Sequence, residues 1–185
     1  MSDSAFFHAQ LWCYGQWSPG DPRGFRSHDH RVHSSGEYKH RPPEGEHADL
    51  HDHAKRQLKQ PPVELAVPQR QVIGELVVRW CQIKSHTLIA VACGRVHTHL
   101  FVELPRGEAE ATIGKMKRYC STEGSRRDAV IPSPVFARRC EPLIVQSRGH
   151  AEQLWPYIVD KHAAEGAWTW GDRAAYERVL GSFGW

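Results

Sequence analysis

The sequence predicts an α+β protein in which helices pack on an antiparallel sheet of four to five strands. The clearest strand signal is the strict alternation of side chains in residues 95–105, RVHTHLFVELP. Gly94 and Arg95 supply a turn from the short apolar run of residues 87–93, which predicts a β-hairpin. Apolar residues at helical spacing in residues 68–84 predict a helix that packs on this hairpin. At 185 residues the chain has room for one domain with a substantial core.

The N-terminal region predicts one strand followed by an insertion. Residues 5–14 are rich in aromatic side chains and lead into the turn residues of 17–24, so we expect the first strand there. From about residue 25 to residue 62 the composition becomes polar and contains prolines, which is typical of an insertion into the single domain of residues 1–185. We expect one short helix in it, near residues 48–60.

The insertion carries seven of the thirteen histidines: His28, His30, His33, His40, His47, His51 and His53. Two His-Asp-His triplets in this set have spacing that suits a transition metal. A flexible loop loses conformational entropy when it orders around an ion, and nothing in the spacing fixes a geometry. Solvated loop histidines are therefore the simpler interpretation, with a second metal site as the alternative.

The strand of residues 95–105 divides its side chains between two faces. One face carries His97, His99, Phe101 and Glu103, and the other carries Thr98, Leu100, Val102 and Leu104, which we expect to bury against the helix of residues 68–84. The two imidazoles lie about 7 Å apart along the strand. They are close enough to bind one divalent ion and leave positions open for water or phosphate. The alternative is a polar sheet face with two solvated histidines.

Three further elements are expected downstream. Residues 109–121 predict a helix with Ile113, Met116 and Cys120 inward and Lys115, Lys117 and Arg118 outward. Residues 135–146 predict a strand, bent or at an edge because of Pro142. The last clear helix lies within residues 151–165 and ends at Gly166, and the aromatic tail packs back on the domain.

Charge and cysteine usage limit the class of protein. The chain has a net charge of +3, and residues 106–148 contain nine Lys or Arg against five Asp or Glu, so the basic excess is concentrated there. This region is expected to contact a polyanion, with a solvated helix face as the alternative. The five cysteines are scattered without a C-x-x-C pair, as in a reduced cytoplasmic protein. No leader or membrane-spanning run is apparent, so no membrane partner is expected.

Three motifs occur in an order that resembles a known family. The stretch 91–105, the helical TIGKMKRYCS of 112–121 and the later WPYIVDKH of 155–162 resemble the single-tyrosine HUH transposases of bacterial insertion sequences and the REP-associated tyrosine transposases. The N-terminal LWCYGQWSPGDPRGF also looks like the opening of some members, so the resemblance covers most of the chain. It implies a ferredoxin-like α+β fold for a single HUH tyrosine transposase-like domain.

The resemblance also implies a function and site residues. His97 and His99 would hold Mg or Mn, and Tyr157 would attack the DNA backbone to give a 5′-phosphotyrosine and a free 3′ hydroxyl. Lys115, Lys117 and Arg118 would contact phosphates of single-stranded DNA. The expected activity is nicking and rejoining of single-stranded DNA at hairpin ends. Relatives include dimers and monomers, so a homodimer stays open.

The sequence departs from this family at two positions. Thr98 replaces a bulky apolar residue between the histidines, and Lys161 stands four residues after the tyrosine, where the family has a third metal ligand. His162 is chemically suited but lies about 140° around an ideal helix from Tyr157. Either a one-residue bulge rephases His162, which Pro156 favours, or the third ligand is missing. The alternatives are a catalytically impaired DNA-binding relic that recognises hairpins and, less favoured, a His-rich metal-binding protein.

Overall fold

The computed structural model describes residues 3–22, 43 and 45–183. The chain divides into two compact units, Met1–Tyr14 with Val63–Trp185 and Gly15–Pro62. The smaller unit contains helix α1, Ala48–Arg56, where a short helix was predicted, and no residue of this helix is buried. Four of the seven histidines predicted in the insertion lie outside the described residues: His28, His30, His33 and His40.

The larger unit is built on a five-stranded antiparallel sheet in the order β4-β1-β3-β2-β5. Its strands are β1 Ser4–Trp12, β2 Leu88–Cys93, β3 His97–Pro105, β4 Leu143–Ile144 and β5 Trp168–Gly171. Helix α2, Val67–Ile83, precedes the β2–β3 hairpin, and helix α3, Ala109–Arg127, follows it. The first four strands and these two helices follow the βαββαβ order of ferredoxin-like folds, so the predicted fold class is confirmed.

The central strand β3 buries both of its faces in different cores. Leu100, Val102 and Leu104 pack with residues of α2 and α3, as the alternation predicted, and we call this side of the sheet the first face. Phe101 points to the other side, the second face, where it packs with residues of the C-terminal helices. Because β3 lies in the middle of the sheet, its polar side chains on the second face are also largely removed from water.

The segment predicted as one helix within residues 151–165 is three consecutive pieces. Helix α4, Arg148–Trp155, begins after Ser147, whose hydroxyl accepts a 3.2 Å hydrogen bond from the His150 backbone N–H. A π-helical turn, Pro156–Lys161, follows, and then helix α5, His162–Ala164. Proline has no N–H to donate to the preceding turn, which favours a change of helical hydrogen bonding at this point.

Two predicted elements differ from the structure. Helix α3 continues beyond residue 121 to Arg127. The strand predicted over residues 135–146 is wrong for most of its length, because only Leu143–Ile144 pairs with β1 and only an isolated bridge joins Phe136 to Cys13. Pro142 cannot donate to a ladder, and β4 is therefore short and lies at the sheet edge, as expected for a strand next to proline.

The aromatic tail packs back on the domain as predicted, through two elements that the sequence did not indicate. Strand β5 pairs with β2, and helix α6, Arg173–Ser182, buries Tyr176 and Val179 in the second-face core. Gly74 of α2 allows the Trp168 ring to approach closely, since a Cβ atom there would overlap that ring. Among the described residues, no helix is both long enough and apolar enough to cross a membrane.

Candidate metal centre

Strand β3 places His97 and His99 side by side on the second face. In the antiparallel register with β1, His97 is opposite Trp12 and His99 is opposite Gln10. The two imidazole centroids lie 4.8 Å apart with their planes at 88°. His99 is buried with 2 % exposure, while His97 is half-buried. The predicted His-x-His pair therefore converges at one point of the sheet.

The π-helical turn brings His162 to the same point. In a regular α-helix, His162 would lie about 140° from Tyr157, but a π-turn holds one more residue and restores the alignment. The His162 ring lies 4.8 Å from the Tyr157 ring and 4.5 Å from the His99 ring, between centroids. The π-turn is the one-residue bulge that the sequence left open, and Lys161 is exposed.

The three histidines have the geometry of a candidate metal site. One ring nitrogen from each of His97, His99 and His162 lies within 4.8 Å of the other two. Nitrogens on one metal ion at about 2.1 Å are about 3 to 3.4 Å apart, so small side-chain rotations would complete the site. Within the described part of the chain, no other group of three His, Cys, Asp or Glu residues converges in this way.

The hydrogen-bonding state of the rings supports this assignment. Three buried ring nitrogens of the cluster have no hydrogen-bond partner among the described residues: His97 Nδ1, His99 Nε2 and His162 Nε2. Burying a polar atom without a partner costs free energy, so such atoms are uncommon in folded proteins. A metal ion that accepted their lone pairs would remove this cost at all three rings.

The donor set bears on which metal fits. Imidazole nitrogen suits first-row transition metals, whereas Mg²⁺ prefers oxygen ligands. Of the two ions implied by the family resemblance, Mn²⁺ is therefore the better match to three histidines, and Zn²⁺ or Co²⁺ would also fit. Lys161, four residues after the tyrosine, offers no lone pair when charged, whereas His162 offers a ring nitrogen.

Two residues that the sequence did not single out lie within hydrogen-bonding distance of the His99 and His162 rings, on the sides away from the other histidines. His8 Nε2 lies 3.1 Å from His99 Nδ1, and a Glu165 carboxylate oxygen lies 2.9 Å from His162 Nδ1. The three-residue spacing from His162 to Glu165 on a helix is a signal that could have indicated the second contact. His8 depends on the pairing register of β1 with β3, which sequence alternation alone does not give.

Burial lowers the pKa of His8, His97 and His99 and so favours their neutral form. Desolvation lowers the pKa of His8 to about 4, with smaller effects from His150 and His162. Desolvation also lowers the pKa of His99 to about 2, followed by the charges of His97 and His162. The pKa of His97 is lowered for the same first reason. Only a neutral imidazole can bind a metal, so the lowered pKa values of His97 and His99 favour the form that could act as a ligand.

Tyr157 borders the three histidines. Its ring centroid lies 5.1 Å from that of His99 in an edge contact, and the side chain is half-buried. Burial, followed by the charge of Glu165, raises the pKa of Tyr157 above its usual value. The Lys161 ammonium lies 5.2 Å from the centre of the same ring. A neutral phenol with a cation close by is therefore the state of Tyr157 at neutral pH.

The predicted DNA-contacting residues lie elsewhere, on α3. This helix packs on the first face, so the sheet separates it from the histidines. Lys115 and Arg118 are exposed as predicted and line a shallow groove with Arg138.

The outward direction predicted for Lys117 is wrong. Its ammonium group is directed into the protein, where it donates two 2.8 Å hydrogen bonds, to the Ala137 and Arg138 carbonyls. Desolvation lowers the pKa of Lys117. Residues 135–142 form no ladder, so their carbonyl groups need donors, and Lys117 provides them.

Comparison with known proteins adds no identification. The chain matches no family model, no curated protein and no solved structure.

The insertion histidines that the structure describes are His47, His51 and His53. They do not form a three-residue metal group with one another.

Proposed function

We propose that the chain nicks and rejoins single-stranded DNA as a transposase-type enzyme. Tyr157 is the nucleophile, and His97, His99 and His162 hold a divalent metal ion. The observation that carries the proposal is the edge contact of a half-buried tyrosine with two rings of a three-histidine cluster. The motif resemblance supports the same combination of residues. Single-stranded DNA with hairpin structure is the proposed partner.

The proposed reaction needs little from the chain beyond positioning and charge. The Tyr157 hydroxyl attacks a backbone phosphorus, loses its proton, and forms a tyrosine–phosphate bond. The bond from phosphorus to the 3′ oxygen breaks, and the 3′ oxygen takes up a proton to leave as a hydroxyl. When bound, the metal supplies positive charge for the non-bridging phosphate oxygens. Rejoining is the reverse reaction with a new 3′ hydroxyl.

Two features of the site bear on how Tyr157 would react, one that restrains the hydroxyl and one that assists it. The buried setting disfavours free phenolate, which limits attack on phosphates that are not aligned. The Lys161 ammonium close to the ring would stabilise negative charge that develops on the tyrosine oxygen or on the phosphate. We therefore assign Lys161 a supporting electrostatic role and no role as a ligand.

The second candidate is a DNA-binding relic that recognises hairpins without cutting. The observation that favours it is the position of the exposed cations Lys115 and Arg118, which lie on the opposite side of the sheet from Tyr157. Binding at that surface would not require the metal site. The two candidates differ in one product, a covalent protein–DNA adduct.

The experiment incubates the protein with a labelled single-stranded oligonucleotide that contains a hairpin, with Mn²⁺, and resolves the products on a denaturing gel. We expect a covalent adduct from the parent protein, none from Tyr157→Phe, and an unchanged yield from the control Tyr119→Phe. An adduct that persists in Tyr157→Phe would contradict the assignment of the nucleophile. Hairpin binding by the parent without any adduct would favour the relic.

A further inference from the structure

The three cluster histidines differ in which nitrogen faces the shared space. His99 and His162 turn their Nε2 atoms to it, and His97 turns its Nδ1 atom, since these are the buried nitrogens without partners among the described residues. The remaining nitrogens of His99 and His162 are occupied by His8 and Glu165. Each ring can carry its single proton on only one nitrogen when neutral. The outer partner of each ring therefore decides which nitrogen has a free lone pair.

The His8 and His99 rings are well aligned for a hydrogen bond between their nitrogen atoms. Their ring planes are only 16° apart, and their centroids are 5.3 Å apart. That separation is close to the 3.1 Å nitrogen distance plus two ring radii, so the rings meet edge to edge in nearly one plane. A straight N–H···N hydrogen bond has this arrangement.

We propose that His8 is a positioning residue for the metal centre: its Nε2 accepts the Nδ1–H of His99 and thereby directs the His99 Nε2 lone pair to the metal. Glu165 has the same role at His162, where its carboxylate accepts the Nδ1–H. Outer partners of this kind fix the tautomer and orientation of ligand histidines in metal sites. The inference rests on the metal centre of the proposed function, and it does not depend on DNA cleavage.

The chain offers isosteric substitutions that separate this role from simple packing. A glutamine at position 8 can place its side-chain oxygen near the position of His8 Nε2, whereas an asparagine reaches only the position of Nδ1. His8→Gln should therefore keep the hydrogen bond to His99, and His8→Asn and His8→Ala should lose it. All three variants remove the ring itself, and His8→Met, which is about as long as glutamine but has no oxygen acceptor, should weaken metal affinity as His8→Asn does, which separates hydrogen bonding from packing.

The test measures Co²⁺ affinity of the full chain by its visible absorption, without DNA. The signal of a variant with His97, His99 and His162 all changed to Ala is subtracted, which removes binding by other histidines. We expect His8→Asn and His8→Ala to weaken affinity about 10- to 100-fold, and His8→Gln to remain within about threefold of the parent. The control His86→Ala, which changes a histidine stacked on Trp80, should bind as the parent does.

A second readout follows the proton itself. Histidine-labelled protein loaded with Zn²⁺ should give a His99 Nδ1–H signal that exchanges slowly in the parent and in His8→Gln, and faster in His8→Asn. Unchanged Co²⁺ affinity in His8→Ala, or equal weakening in His8→Gln and His8→Asn, would overturn the proposal. A failure of DNA cleavage with the expected metal affinities would count against the proposed enzyme alone.

Discussion

The two faces of the central sheet are built from the same strands but are satisfied in different ways. On the first face, Leu100, Val102 and Leu104 meet apolar side chains of α2 and α3, and shape complementarity alone completes the contact. On the second face, the alternate residues His97 and His99 bury nitrogen atoms that have no partner within the described part of the chain. On the first face folding alone buries the apolar side chains, whereas on the second face three ring nitrogens are buried without a partner among the described residues. This difference is why we place the proposed site on the second face.

The largest expected effect contrasts two neighbouring residues of β3, one from each face. Leu100→Ala should reduce the free energy of unfolding by about 2 to 5 kcal/mol, because it leaves a cavity in the first-face core. His99→Leu should change the stability of the metal-free protein by less than about 1 kcal/mol, because it removes an unpaired buried nitrogen but also leaves the half-buried His8 Nε2 without its partner. Urea unfolding in the presence of a chelator measures both. A loss of several kcal/mol in His99→Leu would mean that the second face is also complete without a ligand.

The histidines of the second face should also make the stability of the metal-free protein depend on pH. The folded-state pKa values of His8 and His99 lie below the ordinary value, so the unfolded chain binds more protons as the pH falls below about 6.5. Stability of the metal-free protein should therefore decrease from pH 7 towards pH 4. Buried His99 alone should account for a loss of about 3 kcal/mol by pH 4, and the partly exposed His8 ring should add less after allowance for solvent. His99→Leu should show a shallower decrease than the parent, and identical slopes would contradict this origin.

A smaller effect concerns the outer surface of the first-face layer. If Lys115 and Arg118 contact phosphates, replacing both with Ala should flatten the dependence of single-stranded DNA affinity on salt, by about 0.7 in logarithmic slope for each phosphate that is no longer neutralised. The matched variant Lys117→Met should leave the slope unchanged, since this ammonium is bonded to backbone carbonyls. An unchanged slope in the double variant would make α3 an ordinary solvated helix.

The smallest effect is expected from a deletion that tests whether the π-turn sets the position of His162. Removing the exposed residue Asp160 would convert the turn to regular helix and place the histidine four residues after the tyrosine, on the same side. We expect Co²⁺ affinity within about threefold of the parent and little loss of stability. Deleting the exposed Gln153 from α4, which has no extra residue to lose, should destabilise the protein. Loss of metal binding in the Asp160 deletion would contradict the proposed phasing.

Much of the fold was predictable because it follows from local patterns. The alternation of residues 95–105 indicated both faces of β3, and apolar spacing indicated helix α2 within one residue at each end. The strand expected over residues 135–146 was wrong for most of its length because Pro142 cannot donate to a ladder and only Leu143–Ile144 pairs with β1. The Lys117 direction was wrong for a linked reason, since the carbonyl groups of the loop before β4 need donors.

The site was predictable only in part because it is assembled by tertiary contacts. His97, His99 and Tyr157 follow from motifs, and the choice between a bulge at His162 and a missing ligand stayed open because helical phase within the PYIVDK stretch is not encoded by spacing alone. His8 was not found, since it reaches His99 only through the β1–β3 register. The pattern of residues within one strand does not say which residues of a distant strand will lie beside it.

The most direct test of the central claim is the Co²⁺ affinity and stoichiometry of the parent, His162→Ala and Lys161→Ala proteins, corrected for binding outside the cluster. We predict one ion per chain in the parent, at least about a hundredfold weaker binding in His162→Ala, and parent-like binding in Lys161→Ala. Parent-like binding in His162→Ala, or loss of binding in Lys161→Ala alone, would contradict a centre formed by three histidines across β3 and the π-turn.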